Sequence, residues 1–336
     1  MGRSVQFENT SYELLPGETL LAGLARQGVE IPSFCRTGVC QTCLVRATRG
    51  RPPPSSQAGV AATWAERGCF LACQCVPDGP LEVERCAQFG TFASRVTRVE
   101  PLSPRVLRVE LAVPEGFEYR AGQFLQLERE GGVLRPYSIA SLPGSPHLEL
   151  HVALLPGGAM SSWLRTAEGQ PVTLRGPFGE CFYLEREPDR PLLLAGTGTG
   201  LAPLLGVTRA ALAAGHRGPI HLYHGSTSVS GLYLWGELGE LVANAPQLRI
   251  FGSVLPAPGA ALPKGTALPE APPSRQQLTE LPLDRLILDD PLDCFDCRVY
   301  LCGDPELVQR LRKRVYLCGA PLARIHCDPF LAPGAG

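Results

Sequence analysis

Four cysteines near the amino terminus have the spacing of metal ligands. Cys35, Cys40 and Cys43 follow a C-x4-C-x2-C pattern, and Cys73 comes thirty positions after Cys43. This order of thiolates is typical of a plant-type [2Fe–2S] cluster, in which each iron takes two cysteines. A zinc site normally has two pairs of closely spaced ligands, and here the second pair is missing. The spacing therefore predicts a one-electron iron–sulfur centre.

The identity of the fourth ligand is open on spacing alone. Cys69 and Cys75 flank Cys73, so any of these three thiols could complete the set. A loop that delivers three cysteines within nine residues must fold tightly around the cluster. Small or flexible residues between the cysteines suit that close approach: Thr37, Gly38 and Thr42.

A second set of residues has the chemistry to bind a flavin dinucleotide. Residues 135–141 (RPYSIAS) end a strand-like segment and offer a guanidinium, an aromatic ring and a hydroxyl. By itself this segment could be an ordinary strand end. The flavin interpretation is strengthened by residues 157–164 (GGAMSSWL), a glycine turn that leads into a predicted helix. The start of a helix presents N–H groups and a positive dipole end to phosphate.

A third segment is suited to a nicotinamide dinucleotide. Residues 196–203 (GTGTGLAP) follow a predicted buried strand and open a helix, which is the setting of a phosphate-binding turn. It departs from the G-x-G-x-x-G fingerprint, because Leu201 or Pro203 stands where the third glycine would be. Residues 224–233 (HGSTSVSGLY) contain no Arg or Lys for a 2′-phosphate and no acid for a ribose. NADH is therefore favoured over NADPH.

Composition limits the class of protein. The 336 residues include 31 basic and 32 acidic side chains, which leaves no large cationic field for nucleic acid or anionic lipid. No apolar run is long enough to cross a bilayer, and the first residues lack the apolar core of a signal peptide. Thirteen cysteines without a secretory segment indicate a reducing compartment. We expect a cytoplasmic protein with no nucleic-acid partner and no integral membrane association.

Three blocks of sequence are expected to position these residues. Residues 1–86 hold the cysteines, and residues 92–187 alternate apolar and polar side chains, as in 105–113 (RVLRVELAV). Such alternation predicts antiparallel strands in a small barrel or sandwich. From residue 188, strands alternate with helices, which predicts a parallel sheet covered by helices. The proline-rich residues 256–296 show no clear period and are expected to be a loose surface excursion.

The expected elements of the third block are five strands and three helices. The strands are predicted at 191–196, 220–224, 248–255, 298–302 and 323–327, and the helices at 201–214, 232–242 and 306–316.

Residues 1–86 resemble a plant-type ferredoxin domain, where the fourth ligand follows a short apolar pair, as Cys73 follows Leu71 and Ala72. Residues 92–336 resemble the ferredoxin–NAD(P)⁺ reductase superfamily. The RPYS and GGAMS segments occur in its order and spacing, the turn has its G-T-G-x-x-P pattern, and residues 302–305 (CGDP) match its second nicotinamide motif. The resemblance implies an α+β ferredoxin (β-grasp) domain at 1–86. An antiparallel FAD-binding β-barrel follows at 92–187 and an α/β nicotinamide-binding domain at 188–336.

The resemblance also implies roles for individual residues. Arg135 would contact the flavin pyrophosphate, Tyr137 would pack on the isoalloxazine, and Ser138 would hydrogen-bond near flavin N5. Cys302 would lie near the nicotinamide C4, although a buried structural cysteine is the alternative, and Phe330 corresponds to the family's carboxy-terminal aromatic residue near the flavin. The remaining expected contacts are Pro136, Gly158, Met160 and Ser161 for FAD, and Gly196, Thr197, Gly198, Thr199, Gly200 and Gly303 for the nicotinamide dinucleotide.

Hydride transfer moves two electrons, whereas the cluster carries one, so a flavin belongs between them. The chain is similar to the single-chain reductases of bacterial ring-hydroxylating and diiron oxygenases, and equally to the CDP-6-deoxy-glucoseen reductases. We predict an NAD(P)H-dependent oxidoreductase that passes electrons from NADH through FAD and the cluster to a partner oxygenase. A deoxysugar reductase of the glucoseen type and a non-catalytic redox sensor are the alternatives, since fold and cofactors do not name the acceptor.

Overall fold

The computed structural model describes residues 3–31, 33, 36, 38, 43–58, 60, 62–86, 90–255, 275–289 and 292–330. The chain divides into two compact units, residues 1–89 and residues 90–336. Within the described ranges, no helix has the length and apolar character needed to cross a membrane.

The first unit is a five-stranded mixed sheet with two short helices. Its strands are β1 (Arg3–Phe7), β2 (Thr10–Leu14), β3 (Leu44–Arg49), β4 (Cys69–Leu71) and β5 (Leu81–Arg85), and its helices are α1 (Leu20–Arg26) and α2 (Ala62–Glu66). The strand order is β2-β1-β5-β3-β4, with β1 and β5 parallel and the other neighbours antiparallel. This is the β-grasp arrangement that the resemblance to plant-type ferredoxins implies.

Local sequence explains how this unit is built. Glu8 and Asn9 both have positive φ, 48° and 68°, as a two-residue turn between right-twisted strands requires. Thr19 caps α1 by accepting a hydrogen bond from the N–H of Ala22. Leu20 and Leu24, four residues apart, then share the buried face of the helix.

The second unit begins with an antiparallel barrel. Its strands are β6 (Gly90–Ser103), β7 (Val106–Ala112), β8 (Phe124–Arg129), β9 (Val133–Ser138), β10 (His147–Ala153) and β11 (Pro171–Phe178), and helix α3 is Ala159–Leu164. The order is β10-β7-β6-β11-β8-β9. A bridge between Ile139, which follows β9, and Leu150 of β10 joins the two edges. Alternating residues of β7, such as Val109 and Leu111, are buried inside, as their period-two pattern predicts.

A parallel sheet completes the second unit. Its strands are β12 (Leu192–Thr197), β13 (Ile220–Ser226), β14 (Leu248–Val254), β15 (Gln276–Thr279), β16 (Arg298–Gly303) and β17 (Ile325–Pro329). Its helices are α4 (Leu201–Ala213), α5 (Trp235–Asn244), α6 (Leu283–Leu288) and α7 (Pro305–Leu317). The strand order is β15-β14-β13-β12-β16-β17, and all neighbours are parallel. Apolar runs such as Leu192–Ala195 are fully buried in it.

Two expectations about this sheet are wrong. Helix α5 begins at Trp235 and not at Leu232, because a separate short turn occupies Val229–Gly231 and Leu234 has a left-handed φ of 60°. The second error concerns the proline-rich region. Residues 275–289 are not a loose excursion: β15 pairs in parallel with β14, and α6 buries Leu283 and Ile287. Residues 256–274 and 290–291 lie outside the described part of the chain.

Candidate active site

The structure brings together the two predicted cluster ligands that it describes. Cys43 immediately precedes β3, and Cys73 follows β4, which pairs with β3 through Leu44 and Leu71. The N–H of Ala72 donates to the carbonyl of Cys43 over 3.0 Å, so both thiols emerge at the same end of this strand pair. Both are almost completely buried. The predicted ligands Cys35 and Cys40 lie outside the described residues.

Two described residues between the cysteines, Arg36 and Gly38, lie next to Gln74, the neighbour of Cys73. Gly38 has a φ of 87°, and a methyl group added there would lie 3.1 Å from the Cγ of Gln74. The Gln74 amide donates to the carbonyl of Arg36 over 3.2 Å and lies 3.5 Å from the sulfur of Cys73. A cluster held by thiolates needs such N–H donors near its sulfurs. The residues present therefore fit the group.

The two alternative fourth ligands are engaged elsewhere. The sulfur of Cys69 lies 3.3 Å from that of Cys86, a contact that lowers the pKa of Cys69. Cys75 has no exposed surface, and burial raises the pKa of its thiol to about 12. Its carbonyl accepts the N–H of Leu20 at the start of α1 over 2.7 Å. These contacts support Cys73 as the fourth ligand.

The flavin motif is the end of β9. Arg135 pairs with Leu127 of β8, and its Nη1 donates to the neighbouring carbonyl of Leu134 over 2.6 Å. Among the described carboxylates, none forms an ion pair with Arg135, so its charge is available to an anion. Burial raises the pKa of the Tyr137 hydroxyl, opposed by the charge of Arg135. Pro136 lies between them, paired with Gln126.

The second flavin segment is the start of α3. Gly158 is the N-cap, and Met160 and Ser161 are buried in the first turn. The Ser161 hydroxyl donates to the carbonyl of Gly158 and accepts the N–H of Leu155, each over 3.3 Å. That hydroxyl is thus used within the turn. The first N–H groups of a helix have no partner within it, so backbone donors are what this segment offers to phosphate.

Residues 196–200, the predicted dinucleotide turn, lie where the strand order of the parallel sheet reverses. The central strand β12 has β13 on one side and β16 on the other. Ligands of open α/β sheets bind at the carboxyl ends of the strands at this switch point. Gly196 and Thr197 end β12, Gly198–Gly200 form one 3-10 turn, and α4 begins at Leu201.

Two glycines of this turn, Gly196 and Gly200, are required by close contacts between backbones. A methyl group added at Gly196 or at Gly200 would lie 2.6 Å from the carbonyl oxygen of Cys302. Gly303 has a φ of 108°, and a methyl group there would lie 2.7 Å from the carbonyl oxygen of Thr197. The two predicted nicotinamide segments are therefore packed directly on each other. In addition, the Asp304 N–H lies 3.3 Å from the Thr197 hydroxyl.

Backbone and side-chain contacts around β17 connect the residues that the resemblance implies for the hydride-transfer site, namely Ser138, Cys302 and Phe330. Ser138, at the end of β9, donates to the Oδ2 of Asp328 over 3.4 Å. Asp328 lies opposite Cys302 in the β16–β17 register. The N–H of Phe330 donates to the carbonyl of Gly303 over 2.8 Å. The flavin strand and the nicotinamide strand thus meet at Asp328.

Asp328 was missed by the sequence reasoning. Burial raises the pKa of its carboxyl to about 6, and the hydrogen bond from Ser138 opposes that rise. A buried acid beside the predicted flavin strand is a candidate for holding a proton. The signal available in the sequence was an acidic residue at the end of an apolar strand, two positions before Phe330.

Cys181 was missed as well, and it bears on the role of Cys302. Cys302 has no exposed surface, and its Sγ lies 3.8 Å from the Sγ of Cys181. Burial raises the pKa of the Cys302 thiol, so it is a neutral thiol near pH 7. Its sulfur therefore acts as a packed, uncharged group in this structure.

Three family models match consecutive parts of the chain. They are the 2Fe-2S iron-sulfur cluster binding domain at residues 5–78, the oxidoreductase FAD-binding domain at residues 94–183 and the oxidoreductase NAD-binding domain at residues 194–313. Together with the site geometry, they define an iron–sulfur flavoprotein oxidoreductase.

Similar proteins share this whole arrangement. The reductase component of the naphthalene 1,2-dioxygenase system of Pseudomonas putida is 33% identical and covers 98% of each chain. The reductase subunit of an aromatic O-demethylase from Amycolatopsis is 31% identical over 94% of each chain. The crystal structure of an Amycolatopsis cytochrome P450 reductase superposes with a TM-score of 0.61 at 30% identity, covering 97% of this chain and 98% of that one.

This chain belongs to the family of single-chain ferredoxin–NAD(P)⁺ reductases. It is an NAD(P)H-dependent oxidoreductase whose cofactors are a [2Fe–2S] cluster and FAD. The resemblance found in the sequence and the predicted fold class are both confirmed. The domain boundaries 1–86, 92–187 and 188–336 stay predictions.

Proposed function

We propose that the chain takes electrons from NADH and delivers them, through FAD and the [2Fe–2S] cluster, to a terminal oxygenase. The observation that carries this proposal is the meeting of Ser138, Cys302 and Asp328, because it brings the flavin strand next to the nicotinamide strand. A hydride donor and its acceptor must approach to about 3–3.5 Å. The similar proteins named above serve oxygenases or a demethylase, which supports an oxygenase over a deoxysugar intermediate as the acceptor.

The residues have separable tasks in this scheme. Bound FAD supplies the step from a two-electron donor to a one-electron carrier. The Arg135 guanidinium neutralises phosphate charge, and the Tyr137 ring covers an apolar face of the ligand. Ser138 donates to Asp328, whose raised pKa of about 6 lets Oδ2 hold or release a proton near neutral pH. Cys43 and Cys73 supply thiolates to the cluster, with Cys35 and Cys40 as the other proposed ligands.

An anaerobic titration with NADH tests the scheme directly. We expect the flavin absorbance to bleach and the cluster bands to decrease in the same titration. Cys73→Ser should abolish electron delivery to cytochrome c and keep reduction of ferricyanide, because ferricyanide can take electrons at the flavin. Cys318→Ser is the matched control, since Cys318 is an exposed thiol. If Cys73→Ser keeps both activities, the cluster is not on the electron route. If the wild type reduces neither cytochrome c nor ferricyanide, the redox-sensor alternative is favoured.

The oxygenase acceptor needs its own assay. The reduced protein should support product formation by a purified ring-hydroxylating or diiron oxygenase, and the rate should depend on NADH. Turnover of a deoxysugar dehydratase intermediate, without support of an oxygenase, would favour the deoxysugar alternative. Arg36, Arg46 and Arg49 are candidates for steering the partner. Arg46 already forms an ion pair with Glu84 and Arg49 one with Glu82, which leaves Arg36 as the first residue to test.

The preference for NADH rests on the end of β13. Ser228 and Ser230 bond each other through their hydroxyls, and Ser226 accepts the N–H of Ser228, each over 3.3 Å. Thr227 is exposed beside them. A 2′-phosphate would be left without a cation in this segment. We expect kcat/KM to favour NADH at least ten-fold, and Thr227→Arg to raise the value for NADPH; equal values in the wild type would contradict the preference.

The cytoplasm is the location that we propose. Thirteen cysteines, four of them needed as thiolates, suit a reducing compartment. Cell fractionation with an antibody to the protein tests this, and recovery in an oxidising compartment would contradict it.

A further inference from the structure

A buried path of hydrogen bonds and one ring contact starts at the dinucleotide turn. His224, near the end of β13, is fully buried, and its Nε2 lies 3.0 Å from the carbonyl oxygen of Gly198. Its ring meets the ring of Tyr233 edge to face, with centroids 5.5 Å apart. The Tyr233 hydroxyl in turn lies 3.1 Å from the Nδ1 of His151 in the flavin barrel. His224 is therefore held between the turn and the barrel.

The path continues to the flavin motif. The Nε2 of His151 lies 2.9 Å from Oε1 of Glu149. Arg209 of α4 donates from Nη1 to Oε2 of Glu149 over 2.8 Å and to the carbonyl of Ala140 over 3.0 Å. Ala140 comes two residues after Ser138, inside the motif at 135–141. The contacts thus extend from the dinucleotide turn to the end of the flavin strand.

The surroundings of His224 fix its proton. A carbonyl oxygen can only accept, so the Nε2 next to Gly198 must carry the hydrogen. Burial lowers the pKa of His224 to about 4, opposed by the bond to Gly198, so the ring is neutral at pH 7. Its Nδ1 is buried and has no hydrogen-bond partner among the residues that the structure describes. Within that part of the chain, the bond to Gly198 is therefore the one hydrogen bond that this ring makes.

That bond is one of two that hold the Gly198 carbonyl, which also accepts the N–H of Leu201 at the start of α4. Gly198 has a φ of 53°, and a methyl group added there would meet nothing within 4 Å, in contrast to Gly196 and Gly200. The carbonyl of Gly198 and the N–H of Thr199 belong to one planar trans peptide and point in opposite directions. Holding the carbonyl toward the buried His224 directs the Thr199 N–H away from the protein interior. Such N–H groups bind phosphate in turns of this kind.

We propose that His224 is a positioning residue for the nicotinamide dinucleotide: its bond to the Gly198 carbonyl aims the Thr199 N–H at the pyrophosphate. This inference rests on the proposed assignment of residues 196–200 to the dinucleotide. Tyr233 and His151 hold the ring of His224 in the required orientation. The role is indirect, because His224 itself is covered.

The test replaces the donor and keeps the ring. His224→Phe in the full-length holoprotein should raise the KM for NADH about five-fold, the value of one neutral hydrogen bond, and change kcat less than two-fold. His224→Gln places an N–H donor at a similar reach and should recover most of the loss. His221→Phe is the matched control, since His221 is a buried histidine of the same strand, and its odd spacing from His224 places the two side chains on opposite faces of the sheet. NADH-driven ferricyanide reduction gives both constants, and the melting temperature and FAD content are recorded for each variant.

Three results would overturn the proposal. They are an unchanged KM in a folded, flavin-loaded His224→Phe protein, an equal rise in His221→Phe, and no recovery in His224→Gln. If His224→Phe does not fold, the comparison of His224→Gln with His224→Leu decides, because these differ in the donor. Gly200→Ala separates this inference from the assignment beneath it. Normal NADH binding in flavin-loaded Gly200→Ala would remove the turn as the site, whereas impaired binding there with a normal His224→Phe would remove the positioning role alone.

Discussion

The dinucleotide turn and the flavin strand are built in different ways. In the turn, backbone lies on backbone: the added methyl groups at Gly196 and Gly200 would come within 2.6 Å of the Cys302 carbonyl. On β9, side chains form the proposed flavin-binding surface, and Arg135 and Tyr137 are partly exposed. Within the described residues, the Arg135 side chain donates to the carbonyl of its own neighbour, Leu134. Backbone packing fixes the conformation of the turn, whereas the strand offers separate side-chain contacts.

This difference predicts how substitutions act. A change in the turn must move two strands of the parallel sheet, so stability and NADH binding fall together. A change on β9 removes one contact, so FAD binding can fall while the fold stays intact. Asp328 and Glu149 lie where the two regions meet and should have intermediate effects.

The largest effect is expected at Gly303. Gly303→Ala must adopt a φ of 108° and place a methyl group 2.7 Å from the Thr197 carbonyl oxygen. We expect the free energy of unfolding to fall by about 3 kcal/mol, in the range of other strained backbone substitutions. NADH-dependent bleaching of the flavin should slow at least one hundred-fold. Urea denaturation and stopped-flow absorbance measure the two effects.

Gly236→Ala is the control for this substitution. Gly236 lies in α5, and a methyl group there meets nothing within 4 Å. Its stability should stay the same or rise by up to about 1 kcal/mol, because alanine is the better helix former. A Gly303→Ala protein as stable and active as Gly236→Ala would show that the turn is not fixed by backbone contact.

The second largest effect is expected at Glu149, which accepts from His151 and Arg209. Burial alone would raise the pKa of Glu149, but these partners outweigh it and lower the pKa to about 2. Glu149→Gln should therefore lower the free energy of unfolding at pH 7 by about 3 kcal/mol. Because the folded pKa is depressed, this contribution is present above about pH 4.5 and is lost as the pH falls toward 2.

Urea denaturation of Glu149→Gln at pH 7 and at pH 3 measures the contribution and its loss. Glu128→Gln is the matched control in the same barrel, since Glu128 pairs with the more exposed Arg175. That pair should contribute less than about 1 kcal/mol. Equal losses in the two variants would mean that the buried path does not join the turn to the flavin barrel energetically.

The sequence predicted the helices and strands better than it predicted the contacts between them. Continuous apolar runs such as Leu192–Ala195 and Val299–Leu301 predicted the buried parallel strands, and the glycine turn indicated the sheet edge at which we propose that the dinucleotide binds. Strand β15 was not predicted, because its four residues at the sheet edge take their conformation from pairing with β14 and show no hydrophobic period of their own. Asp328 was not predicted as a site residue, because its partner Ser138 is 190 residues away along the chain. A local pattern holds no information on such a pairing.

A smaller effect is expected at Asp328, whose carboxyl has its pKa raised to about 6 by burial. Since the folded pKa exceeds the unfolded one, stability is highest below about pH 4 and decreases as the pH rises through 6. Asp328→Asn removes the cost of the buried charge and should be about 2 kcal/mol more stable than the wild type at pH 8, with no gain at pH 4. Thermal denaturation across this range measures the difference.

Ser138→Ala gives the matched comparison for Asp328. Loss of the hydroxyl donor should raise the pKa of Asp328 further and move the pH dependence of flavin reduction upward. In Asp328→Asn that pH dependence should disappear between pH 5 and pH 7. An unchanged profile in both variants would place the titrating group of the reaction elsewhere and leave Asp328 a structural acid.

The smallest effect on stability is expected at Tyr137, and it separates the two regions most clearly. Tyr137→Ser removes the aromatic face and should weaken FAD binding about ten-fold, equivalent to about 1.4 kcal/mol of lost stacking and burial. Tyr137→Phe keeps that face and should bind FAD nearly as the wild type does. Equilibrium dialysis of FAD measures both affinities. The free energy of unfolding of either protein without added FAD should stay within about 1 kcal/mol of the wild-type value. Because the turn is built from backbone contacts at Gly196, Gly200 and Gly303, the KM for NADH of FAD-saturated Tyr137→Ser should also be unchanged. A parallel loss of NADH binding would mean that the flavin strand shapes the turn, and the two regions would then have to be treated as one site.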